Sequence, residues 1–491
     1  MKLSKPKTAL SLLLTTALLV GLISGCQLAQ ADPATTGDNN TLPTAATLPP
    51  TQPIYPKDHI DDMYPWGEIP PGLKEMWEKG WSASPNDTYY TVDLQWAVDM
   101  IGLPDAWDIT TGSDTIRVGI IDSGVDASHP ELQNCVNAEL SQSFVSGVSP
   151  LEDSLGHGTH IAGIIATQGN NESGISGVCW DVEIVSLRVS GSNNEPNVAA
   201  IINAIESANS KDIDILNISI NLEGLSTTTL NNLRDAISEF NGLIVCSAGN
   251  SGVADDPYAD NDTYPWYPTN FRMDNLISVG ASTHTDDPWD YSCYGATTVD
   301  IFAPGSSILS CYPVQACVDG TCDSFLHNAN GYHLMSGTSM AAPHVAGVAA
   351  LLLSIHPELT AAELKQAILD SVDIIYDANG NSVFGNLCVS GGRLNAYKAL
   401  TSSSIHNFGP WTDRDAANHS RTCSTCGYVE LGAHSDFWDS FHSRCTACNR
   451  TGMIIQPYSK KPAEDCTEDC AGDCVHSCAD SYAAVCTDAC A

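Results

Sequence analysis

Positive charge is what this chain has least of. Its 491 residues hold 20 Lys and Arg against 58 Asp and Glu, a formal net charge of −38 at pH 7. No basic patch is long enough to track a phosphate backbone, so no nucleic-acid partner is expected. Long apolar runs are nearly as scarce. Thr8–Ser24 is short for a membrane span, and no later stretch reads as a transmembrane helix. Lys and Arg are missing altogether from residues 27–56 and again from Glu464 to the last residue. The first of these stretches is rich in Thr, Pro and Ala (Pro33, Pro43, Pro49, Pro50, Pro53, Pro56), the composition of a semi-extended tether. The remainder is globular in character, with 43% hydrophobic residues overall and room for one large domain plus appendages.

Residues 1–25 read as a targeting segment. Lys2, Lys5 and Lys7 precede the apolar run, which ends in Ile23-Ser24-Gly25-Cys26. Small residues before a cysteine resemble a bacterial lipobox, which implies cleavage before Cys26 and lipidation of its thiol. An ordinary secretory signal with an incidental cysteine is the alternative. Both put the mature chain outside the cytoplasmic membrane, as a cell-surface lipoprotein or a secreted protein. The tether then spans 26–56, and an N-terminal extension with Tyr64, Trp66, Trp77 and Trp81 spans 57–85.

From about Asn86 the pattern changes. Apolar runs fit buried strands at Ile116–Ile121, Val182–Val189, Ile213–Ile220, Leu243–Cys246, Leu276–Val279 and Val299–Phe302. Amphipathic helical stretches lie between several of them, at Val198–Ala208 and Thr229–Phe240, and later helices are expected at His344–Ile355, Ala361–Ser371 and Arg393–Leu400. Such alternation predicts an α/β fold, a doubly wound and mostly parallel sheet with helices on both faces. Functional residues then gather beyond the carboxyl ends of the strands.

Four short stretches carry the chemistry. Ser339 stands in GYHLMSGTSMAAPHVAG, residues 331–347, at or just before a helix that Pro343 would open from its first turn. Free N–H groups and the helix dipole there favour developing negative charge. Taken alone, Ser339 reads as an N-cap. Asp122, at the end of the strand IRVGII, reads as a turn former. His157 opens a helix between Gly156 and Gly158, and Asn250 follows the strand LIVCS in a loop. Together, IIDSGVD, GHGTHIAG, SAGNSG and SGTSMAAPHVAG resemble the subtilisin-like serine proteases, in that family's Asp, His, Ser order and across residues 86–403. The resemblance implies a three-layer subtilisin-like sheet and an extracytoplasmic serine endopeptidase. Ser339 would be the nucleophile, His157 the general base and acid, Asp122 its orienting partner and Asn250 an oxyanion donor.

The resemblance implies more. A substrate peptide would add as a strand between Ser219-Ile220-Asn221 and Asn194-Glu195-Pro196. The family usually has glycine at Asn221, Asn194 and Pro196, so a narrower substrate range is expected. Asp87, Glu131 and Asn171, with the carbonyls of Gln168, Ser173 and Ile175, would form an oxygen-only Ca²⁺ site. A folded propeptide, common in the family, has no strand–helix counterpart between Cys26 and Asn86. A monomer acting on proteins or peptides and held to the membrane by its N-terminal lipid is expected. The rival class is a non-catalytic binding protein on the same scaffold.

The chain has 19 cysteines. Cys246 lies in an apolar strand and reads as a buried free thiol. Cys317 and Cys322 could close a small loop. Residues 404–460 contain Cys423-x2-Cys426 and Cys445-x2-Cys448, with 18 residues between the pairs. That spacing suits a four-cysteine Zn²⁺ site or two disulfides. An acidic cysteine-rich tail, 461–491, completes a small C-terminal extension.

Overall fold

The computed structural model describes residues 84–91, 94–191, 196–251, 256–313, 331–402, 412–413, 418–424 and 429–433. Two compact units divide at Asn407 and Phe408. The first contains a seven-stranded sheet built from β1 (Gly112–Asp122), β2 (Gln142–Ser143), β3 (Asp181–Arg188), β4 (Ile215–Ile218), β5 (Leu243–Ser247), β6 (Leu276–Ser282) and β7 (Ile301–Pro304), in the order β2-β3-β1-β4-β5-β6-β7. Every pairing in it is parallel. The described part of the second unit contributes β10 (Thr412–Asp413), β11 (Asn418–Thr422) and β12 (Val429–Ala433), paired antiparallel.

Parallel strands covered on both faces should be mainly apolar, and the inner strands are, although Arg117, Glu183, Ser186, Asn217 and Ser278 interrupt them. Their alternate residues enter different cores. Ile215, Leu243, Val245, Ile277 and Val279 join one hydrophobic cluster, while Leu216, Ile218, Ile244, Cys246 and Leu276 join another. Against the second face lie α4 (Val198–Ala208) and α5 (Thr227–Glu239), through Ile201, Ile205, Leu233 and Ile237. Against the first lie α3 (His157–Ala166), α6 (Thr338–Ile355) and α7 (Ala361–Leu369). The short helices α1 (Trp96–Met100), α2 (Leu103–Trp107) and α8 (Ala396–Thr401) join the same core. The expected three-layer α/β architecture is therefore present, and Cys246 is buried with a free thiol.

Several boundaries differ from expectation: β1 begins at Gly112, four residues before Ile116, β4 covers only Ile215–Ile218, β7 runs Ile301–Pro304, α8 starts three residues after Arg393, and the largest shift is at α6. Helix α6 begins at Thr338, six residues before His344, and Pro343 lies inside it rather than in its first turn. A proline there lacks the N–H that would reach the carbonyl four residues back, that of Ser339. The helix tolerates it because the hydroxyl of Ser219 donates to that carbonyl instead, at 3.1 Å.

The strand order reverses at β1, which lies between β3 and β4. Asp122 ends β1, Ser219 follows β4, and Asn250 lies three residues beyond β5. The sheet thus delivers three of the singled-out residues to the carboxyl ends of adjacent strands, at a topological switch point. Helix α6 packs across β1, β4, β5, β6 and β7 and brings Ser339, its second residue, to the same edge.

Candidate active site

Asp122 is buried and His157 partly exposed, and both oxygens of Asp122 approach His157 Nδ1, at 2.8 and 3.0 Å. An acceptor on that side requires Nδ1–H, so Nε2 carries the free lone pair and can take a proton. The close approach of α3 to β1 depends on Gly158. A Cβ there would collide with the Gly124 carbonyl oxygen and lie 3.2 Å from the Asp122 Cβ. Burial pushes the His157 imidazolium down, but the Asp122 carboxylate and then Asp153 outweigh it, and the pKa ends above the ordinary histidine value. One turn further along α3, His160 Nε2 donates to the carbonyls of Ile308 (3.1 Å) and His333 (3.0 Å). These belong to the hairpin of β8 (Ile308–Cys311) and β9 (Tyr332–Met335), which thereby fixes the helix that presents His157.

Asn250 is exposed, yet its amide has one orientation. Its Oδ1 accepts from the backbone N–H and the hydroxyl of Thr338, both at 3.0 Å. The Thr338 hydroxyl in turn accepts from Gly249 N–H at 3.1 Å. With Oδ1 taken, Nδ2 is left as an outward donor. A second donor lies close by. The Ser339 N–H is second in its helix and has no intrahelical acceptor. A Cβ built on Gly337 would lie 3.5 Å from Asn250 Nδ2 and 3.6 Å from Ser339 N, so both donors border one small space. That space can receive a developing oxyanion. Ser339 Oγ donates to the Ser219 carbonyl at 3.3 Å, and no hydrogen bond to His157 Nε2 is formed among the described residues. Active-site hydrogen bonds are commonly long or misaligned without substrate.

These elements coincide with a known architecture. A profile described as the subtilase family matches residues 113–403. The chain belongs to the subtilase family. Thermitase of Thermoactinomyces vulgaris is 33% identical over 320 residues, covering 65% of this chain and 99% of thermitase. The thermophilic serine proteinase of Bacillus sp. (strain AK1) is 34% identical over 318 residues, 65% of this chain and 69% of that protein. Among solved structures, a protease from Pseudoalteromonas arctica superposes with a TM-score of 0.53 at 25% identity, covering 65% of this chain and 99% of its own. This subtilase is a serine-type endopeptidase, and its substrates are proteins or peptides.

Of the segments expected to hold substrate, Ser219-Ile220-Asn221 leaves the end of β4, while Asn194 and Glu195 lie outside the described residues. Pro196 is exposed and bridges Ser190. The Asn221 amide is committed to the end of β5. Its Nδ2 donates to the Ser247 carbonyl and its Oδ1 accepts from the Ser247 hydroxyl, both at 2.8 Å.

The donors expected to hold calcium in this subtilase draw together. Asp87 is fully buried and accepts from the N–H of Asn170 (2.7 Å) and Asn171 (3.0 Å) and the hydroxyl of Ser176 (2.5 Å). Asn171 donates to the Gln168 carbonyl at 3.0 Å and accepts from Ser173 N–H at 2.9 Å. Ile175, whose carbonyl was also expected to contribute, is fully buried in the same loop. Glu131 Oε1 accepts from Tyr332 at 2.7 Å, but Oε2 is buried with no partner among the described residues. Burial, with a further contribution from the Asp87 charge, pushes the Glu131 pKa up to about 7. A buried carboxylate oxygen with nothing opposite it, within reach of the charge of a second carboxylate, fits a hard cation such as Ca²⁺. No cluster of three or more His, Cys, Asp or Glu is formed among the described residues, so amide and carbonyl oxygens must complete such a shell. Cys423 is buried, whereas Cys426, Cys445, Cys448 and Cys26 lie outside the described residues, as do Cys317, Cys322, residues 57–83 of the N-terminal extension and the 461–491 tail.

Thr338 and Asp153 were not expected at the site, and Ser219 was expected there only to flank the substrate. Thr338 pins Asn250, the Ser219 hydroxyl holds the Ser339 carbonyl, and Asp153 binds the segments behind Asp122 and His157. Each sits within or beside a quoted motif, but none has a side chain that by itself suggests chemistry.

Proposed function

We propose that this subtilase cleaves peptide bonds through Asp122, His157 and Ser339, with Asn250 and the Ser339 N–H receiving the oxyanion. The observation that carries the reading is the 2.8 Å contact of Asp122 with His157 Nδ1. It leaves Nε2 to remove the Ser339 proton as Oγ attacks the peptide carbonyl. The negative charge that develops on the carbonyl oxygen meets two donors already in place, so little reorganisation opposes the step. His157 then gives its proton to the departing amine, Asp122 stabilises the imidazolium in the interval, and water releases the acyl group by the same route. Ser219-Ile220-Asn221 and Asn194-Glu195-Pro196 flank the substrate as added-strand partners.

Asp87, Glu131 and Asn171, with the carbonyls of Gln168, Ser173 and Ile175, would hold calcium, which would supply positive charge to that acidic loop. The reaction is placed outside the cytoplasmic membrane, with a lipid on Cys26 as anchor, residues 26–56 as tether and residues 86–403 as the peptidase domain. The C-terminal module holds Zn²⁺ or two disulfides through Cys423, Cys426, Cys445 and Cys448. The test is hydrolysis of a peptide library by wild type and Ser339→Ala in calcium buffer. Cleavage by wild type that vanishes in Ser339→Ala supports the proposal, and equal cleavage by both contradicts it. A single cleavage motif would mark a dedicated processing enzyme, many motifs a digestive one.

A further inference from the structure

Asp153, four residues before His157, is 6% exposed. Its carboxylate forms no ion pair among the described residues, yet four donors converge on it. Oδ1 accepts from the Ser123 hydroxyl (2.9 Å) and Leu155 N–H (3.0 Å). Oδ2 accepts from the N–H (3.0 Å) and hydroxyl (2.8 Å) of Thr159. These partners sit at particular places. Ser123 directly follows Asp122, and its hydroxyl also accepts from the N–H of Gly158, which directly follows His157, at 3.0 Å. Thr159 accepts from Asp126 N–H at 2.9 Å, so the loop beyond β1 is tied to the first turn of α3 a second time. Asp122 and His157 come from segments 35 residues apart. What holds those segments in register, beyond the direct contact of the pair, is a buried network centred on one carboxylate.

We propose that Asp153 is a positioning residue for peptide hydrolysis: its carboxylate aligns the Asp122 and His157 backbones, and its charge supports the imidazolium that forms on His157. The proposal rests on the triad reading above. Two physical effects follow from one buried anion. Hydrogen bonds accepted by a buried carboxylate are strong and directional, so the donors of Ser123 and Thr159 hold their backbones closely. An unpaired negative charge close to an imidazole favours its protonated form. Asp153 is the contributor after Asp122 that raises the His157 pKa.

Other groups around His157 do not supply that charge. His160, on the next turn of α3, is pushed down to about 3 by burial and stays neutral. His333 on β9 meets His160 through its backbone carbonyl. Tyr312 donates to the Leu155 carbonyl at 3.0 Å, and burial with the Asp153 charge raises its pKa. The Arg188 guanidinium, on β3, points at the carbonyls of Ser149, Glu152 and Ser190. Asp126 lies in the loop after β1 and reaches α3 through its N–H.

The experiment is the pH dependence of kcat/KM for the full chain in calcium buffer, on wild type, Asp153→Asn and Ser123→Ala. Asp153→Asn removes the charge and should move the acid limb down by about 0.5–1 pH unit and reduce kcat about tenfold or more. Ser123→Ala keeps the charge and cuts the link, so kcat falls while the limb stays near the wild-type value. An acid limb for folded Asp153→Asn within about 0.2 unit of wild type overturns the proposal. Should Asp153→Asn fail to fold, Ser123→Ala decides, and a kcat within about twofold of wild type overturns it. A wild type with no serine-dependent hydrolysis defeats the triad reading itself. Hydrolysis with an acid limb that ignores Asp153 defeats only this inference.

Discussion

Replacing Ser219 with alanine tests how the first turn of the helix that carries Ser339 is held. The Ser219 hydroxyl donates to the Ser339 carbonyl (3.1 Å) and accepts from Asn217 Nδ2 (3.0 Å). Pro343 has no N–H to offer that carbonyl, so alanine at 219 leaves it with neither a helical nor a side-chain donor. Asn217, which is fully buried, loses its acceptor at the same time. A buried polar atom left unpaired costs about 1–3 kcal/mol, and the partly exposed Ser339 belongs at the low end of that range. The two losses together come to about 2–4 kcal/mol of unfolding free energy. At about 2 °C per kcal/mol for a domain of this size, Tm falls by about 4–8 °C. A loosened first turn misplaces Ser339 Oγ and its N–H, so kcat should drop about tenfold or more with a smaller change in KM. The decisive control is Pro343→Ala, which supplies the missing N–H. It should have little effect in wild type but restore about 1 kcal/mol in Ser219→Ala, a coupling read from a double-mutant cycle of denaturant unfolding. Strict additivity of the two substitutions, or a Ser219→Ala cost below about 0.5 kcal/mol, refutes the reasoning.

Three other outcomes are expected. Asn250→Ala should reduce kcat about 10²–10³-fold at nearly constant KM, a magnitude carried over from subtilisin itself, and steady-state kinetics on a peptide amide checks it. The acid limb of kcat/KM should lie above 6.5, because His157 must be neutral to accept a proton and its pKa is raised. The same shift adds stability below the unfolded pKa that is lost as pH rises through the folded one, so the His157→Ala cost should shrink on going from acid to neutral pH. Chelation of calcium should lower the Tm of wild type by removing up to about 2.7 kcal/mol of linkage free energy at a hundredfold excess over Kd, and this fall should largely disappear in Asp87→Asn, measured by calorimetry with and without chelator.

Most of the sheet was legible because the interiors of its strands are mainly apolar and the amphipathic stretches between them have helical length, whereas the polar β2, Gln142–Ser143, left no such signal. Ile215, Leu216 and Ile218 need no tertiary information to be read as a buried strand. The start of α6 was not legible. Pro343 argues for a helix that begins near it, and only the hydroxyl of Ser219, 120 residues away in sequence, explains how the helix runs through. Read singly, Asp122, Asn250 and Ser339 look like a turn former, a loop residue and an N-cap; with His157 they stood out only because the four motifs around them together resemble one family. The roles of Thr338, Ser219 and Asp153 were hidden for a common reason. Each acts by a hydrogen bond to a residue distant in sequence, and nothing in a local pattern records such a partner. Asn221 makes the same point in the opposite direction. In place of an expected glycine it suggested a restricted cleft, but both ends of its amide bind Ser247.

A serine activated by a neighbouring imidazole, as proposed for Ser339 and His157, reacts with electrophiles that leave ordinary serines untouched. A fluorophosphonate phosphonylates such a serine in a single step, and peptide mapping by mass spectrometry locates the adduct. With calcium present, the wild type should carry one adduct on Ser339, and His157→Ala and Ser339→Ala should carry none. An unlabelled wild type, or labelling that persists in either variant, would contradict the proposal.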